Sequence, residues 1–543
     1  MKKLVTVFLA LAMILAMSIP AFAEDTTVTI QNPDGIARTY VGFQLLELTT
    51  SLKGDGHHTA HVGAHTDDCY NFAYTINGKY REILQAETLA HGRNDLWVTT
   101  GVPATPAGVT DAQILDYLEY QTSDNGDVYM TMRQVADRLY RAIKDANLDA
   151  DDEDLTNINQ GYWIFADVST LSGNESNSLV IVDTKGQDAI VINPKTALPT
   201  VEKKVKDIED SEDNSITDNP WHDSADHDIG DTVPFKLTAT LPSNAQYYQT
   251  YKLIFHDTLS AGLTLQDGTF QVFMYETKYK ADVDTDVNDG TDVTDKFTVN
   301  TTPTDDCTFE VSCDNVFAIT GVTKDTAFVV CYNATLTNDN DTTNGDEVVI
   351  GGAGNINTVQ LEFSNDPYNV DSTGKTETDN VAVFTYKLVI NKTDSHGHEL
   401  EGAGFTLSKK NVDGTYTVIG AELKGDGMTT FTWVGLDDGD YKLEETTVPD
   451  GYNKMSDILF SISAAHSETE GSPQLISLDG GMTMGNGDVA TGTITKVIEN
   501  HTGTVLPETG AEGTFLLITG GTLLVVVAVV FMITRKKMSI YED

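Results

Sequence analysis

The chain has 543 residues with 82 acidic and 34 basic side chains, a formal net charge of −48 and a pI near 4.3. That field repels phosphate and excludes nucleic acid as a partner, and four cysteines are too few for a disulfide scaffold. The length allows about three domains, each burying a core of its own.

Lys2 and Lys3 precede an apolar run from Leu4 to Met17, and Ala21-Phe22-Ala23 supplies small residues for signal peptidase. Export with cleavage after Ala23 is expected, because the run is too short to cross ~30 Å of hydrocarbon. From Thr26 onward, alternating or β-branched stretches separated by Gly, Asn and Asp predict strands. They include Val28-Thr29-Ile30, Leu179 to Val182, Phe235 to Thr240, Val359 to Phe363 and Tyr386 to Asn391. The spacing predicts a mainly β chain of tandem sandwiches. Helical periodicity occurs in Asp111 to Thr122 and in Met130 to Ala146, where Val135, Leu139 and Ile143 share a face. It predicts a short insertion covering one side of the first sandwich. Joints are expected at Pro194 to Pro199, near Asn365 to Asp379, and at His501 to Val505.

Cys307, Cys313 and Cys331 lie in one stretch, where a single pair can form, whereas Cys69 has no obvious partner. His57, His58, His61 and His65 beside Asp67, Asp68 and Cys69 read as a polar loop. The acidic run from Asp284 to Asp295 has Asp289 where a calcium loop needs glycine. No cofactor and no metal are therefore expected. The sequence has no G-x-S-x-G, H-E-x-x-H or P-loop pattern, so no enzyme with an external substrate is expected.

At the other end, Phe515 to Thr534 has the length and apolarity of a spanning helix, and Arg535, Lys536 and Lys537 follow it. Just before it stands Leu506-Pro507-Glu508-Thr509-Gly510. Together these resemble the sorting signal read by sortase, a transpeptidase of Gram-positive bacteria. The resemblance implies cleavage between Thr509 and Gly510 and transfer of the Thr509 acyl group to an amine. The chain would be held briefly in the membrane and then joined to peptidoglycan at the cell surface.

Two strands carry lysine where a core residue belongs. Lys203 shares a face with Val201 and Val205, and Lys392 shares one with Leu388 and Ile390. An isolated buried ammonium costs several kcal/mol, so it must pair, or lose its proton and become a nucleophile.

These features resemble the major pilins of Gram-positive bacteria, built of immunoglobulin-like domains related to those of the collagen adhesin. In that family a lysine on the first strand attacks an asparagine amide on the last, ammonia leaves, and an acid assists. Lys392-Thr393-Asp394, Gly402 to Phe405, Tyr441-x-Leu443-x-Glu445 and Pro449-x-Gly451-Tyr452 resemble the B-type domain. The resemblance implies Glu445 as the acid, Asn500 as the acceptor, and Glu444 on the solvated face. Phe255 to Leu263 resembles the A-type segment, which implies Asp257 as the acid for Lys203. Asn357 opens what reads as the last strand and is the expected acceptor, with Asn355 and Asn365 as alternatives. Ile190 to Lys195 resembles the pilin motif and implies Lys195 as the amine that receives Thr509 of the next subunit, with Lys185 as the alternative.

The expected organisation is therefore a signal peptide (1–23), an N-terminal pilin domain (24–198), an A-type immunoglobulin-like domain (199–383), a B-type domain (384–503) and a sorting region (504–543). No isopeptide bond is expected in the first domain. The expected function is the shaft subunit of a pilus, polymerised by sortase, whose partners are identical subunits and peptidoglycan, with minor pilins and host ligands beyond them. The alternative is a monomeric wall-anchored adhesin or a minor tip or base pilin.

Overall fold

The computed structural model describes residues 25–31, 37–52, 70–92, 97, 100–121, 131–171, 173–194, 197–208, 220–287, 289–337, 348–467, 473–503 and 524–525. The expected signal cleavage at Ala23, the His57 to His65 cluster with Cys69, Lys195 and the motif from Leu506 to Gly510 all lie outside these residues. So does the expected span at 515–534, apart from Leu524 and Val525. Among the described residues no helix is long and apolar enough to cross a membrane.

In the first domain, strand Asp25–Ile30 lies between Ile158–Asn159 and Ala189–Ile192, running parallel to the latter. A four-stranded sheet faces it in the order Tyr70–Ile76, Tyr40–Leu52, Gly161–Asp167, Leu179–Asp183. Val28, Trp163, Phe165 and Ile192 fill the space between the sheets. Helices Arg81–His91, Asp111–Gln121 and Met132–Asp145 cover the outer face, where Val135, Leu139 and Ile143 meet Phe43, Leu45 and Ile164. Helix Met132–Asp145 starts at a capping box in which Thr131 and Gln134 each satisfy the other's backbone N–H. Helix Arg81–His91 is not foreseen from the sequence, because Gln85 and Thr88 sit beside Leu84 on its buried face and blur the apolar period.

The second domain is a sandwich of two large sheets. One runs through Val201–Lys206, Thr232–Thr240 and Ala327–Leu336. The other runs through Asp379–Phe384, Asn355–Ser364, Leu253–Leu259 and Phe309–Cys313. Phe235, Phe255, Phe309, Val330 and Leu361 pack between them. Residues 365–379 do not end this domain as the sequence suggests. Thr373–Lys375 and Asp379–Phe384 both return to pair with Asn355–Ser364, so the strand carrying Asn357 is followed by two more. Their polar turn-rich lead-in reads like a linker but is a connection between strands of one sheet. Cys307, Cys313 and Cys331 are free thiols. Cys313 and Cys331 belong to opposite sheets, with Cys313 on the core side and Cys331 packed outward beside Trp221.

Only Thr385 separates that sheet from the third domain. Strand Tyr386–Asp394 there lies between Thr430–Leu436 and Thr493–Asn500, parallel to the latter. A five-stranded sheet of Tyr416–Leu423, Gly404–Lys410, Gly439–Thr447, Ile458–Ser467 and Gln474–Asp479 faces it across Leu388, Ile390, Phe405, Leu443 and Ile498.

Both domain junctions are tied by side chains. Arg141 donates to the Pro367 carbonyl at 2.7 Å, the Tyr368 hydroxyl donates to Asp137 at 2.9 Å, and Tyr140 packs edge-on against Tyr368. Between the second and third domains, Lys409 joins Asp228 at 2.7 Å to Asp437 at 3.0 Å. His466 Nε2 lies 3.0 Å from both Tyr386 Oη and an Asp226 carboxylate oxygen.

Candidate functional site

The lysine of strand Val201–Lys206 follows the parity of the strand, with Lys203 and Val205 buried and Glu202, Lys204 and Lys206 half-buried. Lys203 is fully buried and crosses the sandwich to Asp257, itself fully buried on strand Leu253–Leu259. Tyr332 Oη stands in the middle of the site. It receives the Lys203 ammonium at 3.0 Å and the Asn357 amide N–H at 2.7 Å, and it donates to Asp257 Oδ1 at 3.0 Å. Lysine and asparagine thus converge on one hydroxyl beside one carboxyl. Burial raises the Asp257 carboxyl, against the opposing pull of Lys203, and burial lowers the Lys203 ammonium, against the opposing pull of Asp257. Both shifts favour the neutral amine and the neutral acid. Asn355 is also buried, but its amide serves Val349 and Val383, and Asn365 bonds Ser372. Neither alternative acceptor hydrogen-bonds Lys203, Asp257 or Tyr332.

In the third domain Lys392 and Asn500 lie on adjacent parallel strands, where Lys392 is in register with Ile498 and Asn500 stands two residues on, on the same buried side. Lys392 Nζ donates to the carbonyls of Thr393 at 2.9 Å and Ile498 at 3.2 Å. Glu445 reaches in from the facing sheet and accepts the Asn500 amide N–H at 2.8 Å and the Met455 N–H at 2.9 Å. Burial lowers the Lys392 ammonium, and the Glu445 charge opposes this. Glu445 is fully buried, whereas neighbouring Glu444 pairs with Lys454 at 3.0 Å on the outer face.

The two sets share one further property. Asn357 Oδ1 and Asn500 Oδ1 are buried without a hydrogen-bond partner, an arrangement that is costly unless something repays it. Burial favours the protonated form of Asp257, a form able to donate to an amide oxygen, and polarising the carbonyl in that way is what attack by an amine requires. Tyr332 escapes sequence reasoning because it sits at a regular inward position of an alternating strand, Ala327–Leu336, and nothing marks it apart from its apolar neighbours.

Comparison with known proteins identifies two segments of the chain. Residues 386–472 match the SpaA prealbumin-like fold domain and residues 498–539 match the LPXTG cell wall anchor motif. No curated protein matches the chain in sequence. Among solved structures, the T6 backbone pilin of serotype M6 Streptococcus pyogenes aligns with 15% identity and a TM-score of 0.47, over 89% of this chain and 100% of that one. The Corynebacterium diphtheriae major pilin SpaA aligns with 13% identity and a TM-score of 0.38, over 64% of this chain and 81% of its own. BcpA, the major pilin subunit of Bacillus cereus, aligns with 17% identity and a TM-score of 0.35, over 65% and 91%. The chain is a cell-wall-anchored surface protein, with its anchor in the segment that begins at Ile498.

Proposed function

We propose that this protein is the shaft subunit of a sortase-assembled pilus, stiffened by one intramolecular isopeptide bond in each of its second and third domains. The observation that carries the reading is the duplicated burial of a lysine, a carboxyl and an asparagine amide in two separate apolar cores. Nothing in ordinary packing favours such a set, since replacing all of its mutually bonded polar members together by apolar groups of the same shape is close to neutral.

In the proposed reaction, neutral Lys203 Nζ attacks Asn357 Cγ, and Lys392 Nζ attacks Asn500 Cγ. The C–N bond to the side-chain nitrogen breaks, the acid relays a proton from the attacking amine to that nitrogen, and ammonia leaves. Asp257 and Glu445 end as they began, so the protein acts only on itself. Sortase would then join Thr509 of one subunit to Lys195 of the next, and the last subunit to peptidoglycan.

The mature chain should weigh less than its sequence by roughly 17 Da per bond, one ammonia each. Lys203→Met and Lys392→Met should each restore one such increment. In cell-wall extracts the protein should form a ladder of high-mass species on denaturing gels, and Lys195→Arg should collapse that ladder to a single band. A single band from the unaltered chain would instead identify a monomeric adhesin, and a ladder that survives Lys195→Arg would move the acceptor amine to another lysine.

A further inference from the structure

On the side of strand Leu253–Leu259 opposite Asp257, the next residue back, His256, points to the outer face of the sheet into a group of mixed donors. His256 Nδ1 lies 3.0 Å from Asp305 Oδ2, 3.4 Å from Glu310 Oε1 and 3.9 Å from Cys307 Sγ. Cys307 Sγ lies 2.9 Å from Asp305 Oδ1. Four ligands bound tetrahedrally to zinc at ordinary bond lengths stand about 3.3–3.6 Å apart. These four donor atoms, all within 4.8 Å of one another, already lie near that spacing.

A second observation is independent of the cluster itself, because its members are oriented from behind. Glu362 Oε2 engages His256 Nε2 at 3.2 Å, and a proton held there leaves Nδ1 with its lone pair toward the group. Asn300 donates to Glu310 Oε2 at 3.0 Å and turns the other oxygen inward. Lys375, 3.8 Å from Glu362, balances the outer carboxylate. A carboxylate behind a histidine, with thiol and carboxylates in front of it, is the arrangement of a transition-metal centre.

We propose that His256, Asp305, Cys307 and Glu310 bind one divalent transition-metal ion of the zinc class on the outer face of the second domain. Thiolate and imidazole donors select such an ion over calcium or magnesium. On binding, the Cys307 S–H proton, now given to Asp305, passes to solvent as the metal–sulfur bond forms. The ion would fasten the turn at 305–307 to two neighbouring strands directly behind Asp257, whose main-chain carbonyl already takes the Thr308 N–H at 2.7 Å.

The sequence hides this site because its ligands come from two strands and a turn with no fixed spacing, and because Cys307 invites pairing with Cys313. Titration of the purified full chain with cobalt(II) should produce a thiolate-to-metal charge-transfer band that saturates at one ion per chain and is displaced by zinc. Cys307→Ser should abolish the band. Glu310→Gln, at a half-buried strand position, should weaken zinc binding at least about tenfold, as expected when one ligand of a formed centre is removed. Absence of the band from the unaltered chain would overturn the proposal. So would a band of equal strength in Cys307→Ser, which would assign the thiolate to another cysteine, or unchanged zinc affinity in Glu310→Gln.

Discussion

Asp257 and Lys203 are pushed toward neutrality by the same burial, which sets a condition on the chemistry proposed for them. Attack needs an unprotonated amine and a protonated acid at once, a state carrying one proton between the two groups. Below the raised titration of Asp257 both groups hold protons and the amine is blocked, and above the lowered titration of Lys203 neither holds one and the acid is spent. The rate of bond formation should therefore be bell-shaped in pH. Its acid limb should lie above the ordinary aspartate value of about 4, and its alkaline limb below the ordinary lysine value of about 10. Chain freshly translated in vitro, moved to each pH and followed by mass, checks this. A rate that keeps climbing through the alkaline limb would remove the acid from the mechanism. Tyr332, which links all three partners of this set, has no counterpart among the hydrogen bonds of Lys392 and Asn500.

At the scale of single elements, the helix Met132–Asp145 depends on its start. Replacing Thr131 by Ala removes one half of the capping box and should lower stability by about 1 kcal/mol, read as a lower urea midpoint for the first domain with no change in its slope. The strands and the two amphipathic helices were legible in the sequence because each has one buried face, and so were Lys203 and Lys392, because parity puts them among valine, leucine and isoleucine. What was not legible depends on the far side of a contact. Helix Arg81–His91 buries glutamine and threonine against backbone and neighbouring helices. Residues 365–379 look like a linker until their pairing partner is known. The strand of Asn357 reads as the last of its domain, although Thr373–Lys375 and Asp379–Phe384 add two more beyond it.

Across the whole molecule, the junction between the second and third domains rests on charge in a dry place. Burial drives Asp437 well above the usual carboxylate range, and Lys409 opposes that rise. With Lys409→Met the folded state tolerates only the protonated acid. A carboxyl raised in this way stabilises fully below its unfolded value near 4 and loses that contribution as pH climbs through the folded value. The variant should be near normal at about pH 4 and weaker by on the order of 3 kcal/mol at neutral pH, the scale of breaking a buried ion pair. Denaturant unfolding of the full chain at both values tests this, and an equal loss at both would mean that Asp437 stays ionised.

The parallel pairing of Tyr386–Asp394 with Thr493–Asn500 determines how tension would travel. The polypeptide enters the first of these strands at Tyr386 and leaves the second beyond Asn500, at opposite ends of one ladder. Pulling therefore shears every rung together instead of peeling them singly. With Lys392 bonded to Asn500, only the stretch from Tyr386 to Lys392 would carry load through this domain, and everything from Thr393 to Glu499 would hang slack as a side loop. A protease that cut any turn within that loop would leave the load-carrying path through the chain unbroken.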